Sequence, residues 1–269
     1  PKSKVQSPKS GGDTGVVHAV TKTELQSGEK ESQATKADFG PWTLDFGLEV
    51  RDLRKSFDSP TGDRIEVLRS VSFSVSPGEA IAIVGSSGAG KSTLLNLLGG
   101  LDTPDHGSIS VGSFAIHGAS SEMLARFRNQ RLGFIFQFHH LMLDLTAAEN
   151  VGLPLMIRRT PRTRAMSQAN EKLAQAGLAD RSTHPVTHLS GGEQQRVAVC
   201  RALITLPSVV LADEPTGNLD ANNSDSIAHS LTDYARKNGT VVVIATHNPK
   251  LADLCDRALR LHDGRLSTV

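Results

Sequence analysis

The 269 residues are 38% hydrophobic, enough for one large domain or two small ones. Charge is nearly balanced, with 29 Lys and Arg against 28 Asp and Glu for a net of +1, so the basic excess of a nucleic-acid-binding footprint is missing. Two widely separated cysteines, Cys200 and Cys255, make neither a disulfide framework nor a CxxC zinc pair, and no apolar run approaches the roughly 20 residues that span a bilayer.

Residues 1–46 are rich in Ser, Lys, Thr, Gly and Gln and poor in apolar side chains. Such a segment buries too little surface to offset its ordering entropy, so a disordered tail is expected there. It lacks the charged-then-apolar order of a secretory signal. The apolar island "FGPWTLDFG" (39–47), with the only Trp, is expected to be a linker that packs a little.

Order is expected from "LEVRDLRKSF" onward, with "IEVLRSVSFSVSPGEAIAIVG" reading as two strands parted by a turn at Pro77-Gly78. Residues 85–93, "GSSGAGKST", follow the strand "AIAIV" and open the helix "KSTLLNLLGG". This is the setting that G-x-x-x-x-G-K-[ST] needs to be a phosphate loop. Gly85, Ser86, Ser87, Gly88, Ala89 and Gly90 would turn their backbone N–H groups around a phosphate chain, with the start of the helix at Lys91, Ser92 and Thr93 adding positive potential. Lys91 would reach the outer phosphates, and Ser92 has the hydroxyl for Mg²⁺. By itself the loop implies a nucleotide and no particular reaction.

Further along, "SISVGSFAIHG" is strand-like and "SSEMLARFRNQRL" is helical, with a serine cap. "GFIFQFHHLMLDLTAAENV" (133–151) is unusual: an apolar strand ends at Gln137, two histidines follow, and Leu, Met and Leu come with little polar cover. Adjacent His139 and His140 point to opposite faces of an extended segment and chelate one ion poorly. An exposed apolar run of this kind marks an interaction site, unless it is core. "IRRTPRTR" (157–164) is a basic cluster expected in a solvated loop, with lipid headgroups as the alternative use. "AMSQANEKLAQAGL" is a helix closed by Gly177. "SVVLADE" (208–214) is a buried strand that delivers Asp213 to its carboxyl end, where ligands of open parallel sheets sit. Asp213 would hold the Mg²⁺ shell, and Glu214 is placed to orient or deprotonate a water. "TVVVIATH" is a second buried strand, and "RALRLHDGRLSTV" is a hairpin with an Asp-Gly turn. Strands and helices alternate, so the class is α/β.

"LSGGEQQR" (189–196), before the helix "EQQRVAVCRALI", makes a second helix start fit for phosphate. With the phosphate loop and "VVLADE", it resembles the signature of the ATP-binding cassette family, over roughly residues 48–266. The resemblance implies a P-loop ATPase with a RecA-like parallel core sheet, an antiparallel β subdomain and an α-helical insertion. The domain would cover 47–269, with the nucleotide core at about 47–136 and 197–269 and the insertion at about 138–196. It implies Mg²⁺-dependent ATP hydrolysis in a head-to-tail dimer of two copies. There, Ser190, Gly191, Gly192 and Glu193 of one chain would close on the ATP of the other, with Asp220 beside them. It also implies that Phe57 stacks on adenine where Tyr is usual, that Gln137 contacts Mg²⁺ or the water, and that His247 contacts the γ-phosphate.

"LRNQRLGFIFQFHHL…LTAAENV" and "LADEPTGNLDANNSDSI" are similar to the lipoprotein-releasing branch of that family. Leu143 and Leu145 depart from the Pro and Phe of its pattern. This branch implies a peripheral ATPase on the cytoplasmic side of a bacterial inner membrane, docked by about 137–150 to a LolC/LolE-type permease. The rivals are MacB-type efflux and FtsE-type cell-division ATPases, and, more distantly, soluble cassettes acting on DNA or ribosomes. Long coiled-coil insertions or paired cassettes would mark the last group, and neither is present.

Overall fold

The computed structural model describes residues 47–60, 62–217 and 221–269, with no side-chain detail at 221–223. The expected tail, the Trp42 island and Asp220 therefore lie outside the described residues.

The chain runs β1 (Leu48–Asp58), β2 (Arg64–Val75), β3 (Ala80–Val84), α1 (Lys91–Leu98), β4 (His106–Val111), β5 (Phe114–Ala115), α2 (Ser121–Arg131) and β6 (Leu132–Ile135). It continues through α3 (Ala147–Ile157), α4 (Arg162–Gln175), α5 (Gly191–Leu203), β7 (Val209–Asp213), α6 (Ala221–Asn238), β8 (Val241–Thr246), α7 (Pro249–Asp253), β9 (Arg257–His262) and β10 (Arg265–Thr268). The architecture is α/β, as the alternation predicts. One sheet is antiparallel, in the order β2-β1-β4-β5; the other has six strands in the order β10-β9-β3-β8-β7-β6. In the larger sheet β9, β3, β8, β7 and β6 are parallel, and β10 pairs antiparallel at one edge.

The two periodicities account for the two sheets. β1 alternates buried and exposed residues along much of its length, as a strand wetted on one face must. β8 is buried at all six positions, and β7 at every position before Asp213, so both need cover on both faces. Helices supply it: Val199, Leu203, Ile227 and Leu231 pack against Ile135, Val210 and Ile244 in one continuous core. The β9–β10 turn has Asp263 at φ 46° and Gly264 at φ 72°, the two positive values a tight Asp-Gly hairpin requires.

Between β6 and β7 along the chain comes a helical region with its own core, in which Val151, Ala169, Leu173, Val186 and Val197 are buried. Its first helix, α3, has a Thr146–Glu149 capping box, each residue's side chain bonded to the other's backbone N–H. Asn150 is fully buried; it accepts from Met142 N–H at 2.8 Å and donates to the Met142 and Thr146 carbonyls at 3.0 Å. It thereby fixes the path of the segment before the helix.

Two expectations change here. The basic cluster at 157–164 is not one loop: it holds the end of α3, a short turn and the start of α4. Arg158 is half-buried and binds the Asn129 carbonyl at 2.6 Å, because the end of α3 brings it over α2. Burial pulls its pKa, and that of Arg131, below the usual arginine value. The apolar run after Gln137 also divides. Leu141 is 9% exposed and belongs to the helical-region core, while Phe138, Met142 and Leu143 are 70%, 52% and 66% exposed.

Leu141→Ala is therefore expected to cost about 2–5 kcal/mol through transfer and cavity terms. Leu143→Ala should stay within about 0.5 kcal/mol. Urea unfolding of the two variants side by side checks the difference, and equal losses would contradict the division.

Candidate functional site

The carboxyl ends of β3, β7 and β8 lie level. Val84 pairs with Thr246, and Asp213 with Ala245, so the groups that follow these strands emerge at one edge. A cleft of about 590 Å³ opens there, lined by Phe57, Val67, Ser87, Gly88, Gly90, Lys91, Ser92, Thr93, Gln137, Asp213, Glu214 and His247.

The loop after β3 owes its shape to two glycines above all. Gly90, the residue before α1, sits at φ 99°, and a Cβ there would also meet Val67 Cγ1 at 2.9 Å. Gly85 has no such angle, but its Cβ would meet the Leu261 carbonyl oxygen at 2.5 Å, so β9 crowds the loop from behind. Lys91 is buried and donates to the Gly85 and Ser86 carbonyls at 2.9 and 3.0 Å. Its Nζ stands 3.9 Å from Glu214 Oε1.

Asp213 ends β7. Burial pushes its carboxyl above the ordinary value, against a hydrogen bond with Ser92; the Glu214 charge pushes it up and Lys91 pulls it down. A half-buried carboxylate beside a hydroxyl is a pair of hard oxygen donors whose charge wants a cation, which fits Mg²⁺. Among the described residues no group of three or more His, Cys, Asp and Glu could hold a metal ion.

Glu214 follows at φ 46°, a left-handed value rare outside glycine. It is buried, and its Oε1 lies 2.8 Å from His247 Nδ1. An ionised carboxylate can only accept, so Nδ1 carries the hydrogen and Nε2 is left for a ligand. A Cβ on Gly217 would fall 3.5 Å from Gln137 Nε2 and 3.6 Å from Glu214 Cβ, so the turn after Asp213 passes close to the glutamine. Phe57 is 43% exposed, and the Lys55 ammonium sits 5.1 Å from its ring centroid.

Ser190, Gly191, Gly192 and Glu193 do not line this cleft. They form the start of α5, where Ser190 Oγ accepts from Glu193 N–H and the Glu193 carboxylate accepts from Ser190 N–H at 2.8 Å. The Ser190 N–H and, at 2.9 Å, the Ser190 hydroxyl donate to the Glu193 carboxylate and, with Arg181 at 3.1 Å, hold it below its usual value. Around Gly191 the space is open: a Cβ there would meet nothing within 4 Å.

Several residues that matter here carry no sequence signal of their own. Val67 is an ordinary strand residue until β2 is folded beside the loop. On α5, Gln195 is buried and donates to the Pro215 carbonyl at 2.7 Å, one residue past Glu214. Arg201 donates to the His140 and His139 carbonyls at 2.7 and 2.8 Å. His139 itself is pulled below the usual histidine value, chiefly by burial and then by Arg201. The His140 ring meets Phe136 edge-on at 4.8 Å, and Phe136 stacks on Phe134 at 4.1 Å.

Comparison with known proteins agrees with this geometry. Residues 68–217 match the family model described as ABC transporter. The chain is 49% identical over 219 residues to the lipoprotein-releasing system ATP-binding protein LolD of Geobacter metallireducens, covering 81% of this chain and 97% of that one. It is 49% identical over 229 residues to the protein of the same name from Bordetella pertussis, covering 85% and 96%. Among solved structures it is similar to the dimeric ATP-binding cassette MJ0796 in a post-hydrolysis state bound to ADP and Pi. That match has a TM-score of 0.77 and 33% identity, over 82% of this chain and 96% of that one. With strand-end carboxylates, phosphate loop and signature helix all in place, the chain belongs to the ABC transporter family, as an ATP-hydrolysing, ATP-binding subunit.

Proposed function

We propose that this subunit hydrolyses Mg²⁺-ATP as a head-to-tail dimer and drives release of lipoproteins from a bacterial inner membrane. It would do so from the cytoplasmic face, bound to permease subunits through about 137–150. The observation that carries the hydrolytic reading is the meeting of Lys91, Asp213, Glu214, Gln137 and His247 on one cleft. Lys91 exchanges its two loop carbonyls for phosphate oxygens. Ser92 and Asp213, with Gln137, are the residues to hold Mg²⁺, which when bound neutralises charge on the outer phosphates. Glu214 takes a proton from the attacking water, and His247 donates from Nε2 to the γ-phosphate when both ring nitrogens carry a hydrogen. Phe57 offers a ring face to adenine.

Dimerisation is supported by the separation described above. A helix start with open space at Gly191 stands away from the chain's own phosphate loop, so it is available to a nucleotide held by a second copy. Asp220 belongs to the same reading. The finer assignment to lipoprotein release rests on the match to two lipoprotein-releasing proteins over nearly their whole length. Among the described residues no helix is long and apolar enough to cross a membrane, so the reading needs a separate membrane partner. Phe138, Met142 and Leu143, exposed beside Gln137, supply an apolar contact for it.

Glu214→Gln should leave ATP binding intact and cut single-turnover hydrolysis on the order of 10²- to 10⁴-fold, the size of a general-base contribution. Gel filtration with ATP should then show a persistent dimer. Wild-type turnover by this variant would remove Glu214 from the role.

Replacing Phe138, Met142 and Leu143 together by Ser should spare the melt and basal hydrolysis of the lone subunit. Co-purification with a LolC/LolE-type permease should fail, because each apolar side chain buried at an interface is worth about 1.5–3 kcal/mol. Unchanged co-purification would place the contact elsewhere.

A further inference from the structure

Thr246 is the last residue of β8 and is fully buried, but none of the roles given above uses it. Its hydroxyl accepts a hydrogen bond from Asn248 N–H at 3.0 Å and lies 3.3 Å from Glu214 Oε2. A hydroxyl has one hydrogen to give, and a carboxylate has none. With Asn248 donating to the threonine oxygen, that hydrogen is directed to Glu214. The His247 N–H meets the same carboxylate oxygen at 3.3 Å.

The other oxygen, Oε1, has different company. It is met by His247 Nδ1 at 2.8 Å and by Lys91 Nζ at 3.9 Å. Both belong to side chains that the proposed reaction engages with phosphate. The imidazole is also 67% exposed, whereas Thr246 is 0% exposed and fixed in the sheet. Once nucleotide draws Lys91 and His247 toward it, the contacts that keep Glu214 in place are those from the end of β8. The backbone is held there too, since Glu214 N–H donates to Ala245 O at 2.9 Å.

We propose that Thr246 is a positioning residue for hydrolysis. Its hydroxyl holds the Glu214 carboxylate in the orientation from which it takes the water's proton. Through Asn248, the same hydroxyl sets where the turn carrying His247 leaves the strand. The proposal rests on the reading of Glu214 as the base. Thr246 itself touches neither nucleotide nor water in this account, so its loss should lower turnover and spare binding.

The test uses the full chain with Thr246→Val, which keeps the shape and removes the hydroxyl, and Thr246→Ser, which keeps the hydroxyl. Thr246→Val should lower kcat roughly 10-fold, the worth of one hydrogen bond to a charged group. KM for Mg²⁺-ATP should hold within about twofold, the signature of an interaction used in the transition state alone. Thr246→Ser should restore most of kcat. In the Glu214→Gln background, Thr246→Val should cost nothing more, because the two residues act as one unit. If Thr246→Val melts early, Thr246→Ala against Thr246→Ser makes the same comparison with the methyl absent from both. Wild-type kcat in the hydroxyl-free variants overturns the proposal, as does equal loss with and without the hydroxyl, or a further loss on top of Glu214→Gln. Normal turnover by Glu214→Gln alone is a separate result: it removes the base reading and the proposal built on it.

Discussion

Strands buried on both faces leave β7 and β8 little room for charge except at their ends. β8 has no exposed residue and β7 none before Asp213, so a polar group within either would have to be matched inside the core. The strands instead shed their polarity at the carboxyl ends, where Asp213, Glu214, Thr246 and His247 come in quick succession. Parallel register aligns those ends, and the loop after β3 joins them from the next strand. The edge that opens onto the cleft is thus where β7 and β8 place their polar groups.

The same constraint explains the tension inside the cleft. Asp213, Glu214 and Lys91 are close and largely shielded from water, and the Asp213 carboxyl rises accordingly. Glu214 is held on both oxygens, and its backbone takes a left-handed turn. Strain and crowding of this sort persist where surrounding bonds over-determine the geometry, and here the end of β8 supplies most of them.

Much of this was legible in the sequence because it rests on local patterns. Gly-Lys-Ser after an apolar strand, Asp-Glu at the end of another, and Ser-Gly-Gly-Glu before a helix each dictate a local geometry. The α/β class follows from strands and helices in alternation. The helix α3 was also within reach, since Thr146-x-x-Glu149 is a capping box, but the apolar run in front of it draws attention away. What stayed hidden depends on contacts between distant segments. No periodicity separates buried Leu141 from exposed Leu143, because a loop pinned by Asn150 has none. Arg158 looks like any loop arginine until α2 supplies its acceptors. Val67 and Thr246 join the site only through β2 beside the phosphate loop and β8 beside β7.

Helix α5 spans three places that its sequence does not connect. It begins at Ser190, it grips the Pro215 carbonyl through Gln195, and it holds the His139 and His140 carbonyls through Arg201. Thirteen residues of helix make a rod about 20 Å long. Its start is open to solvent at Gly191, and its two grips lie farther along, on the segments that follow Glu214 and Gln137. A tilt of about 5° shifts one end relative to the other by about 1.7 Å, enough to make or break a hydrogen bond. A displacement of the helix start at Ser190 would therefore reach the Pro215 and His139–His140 segments together, through one rigid body.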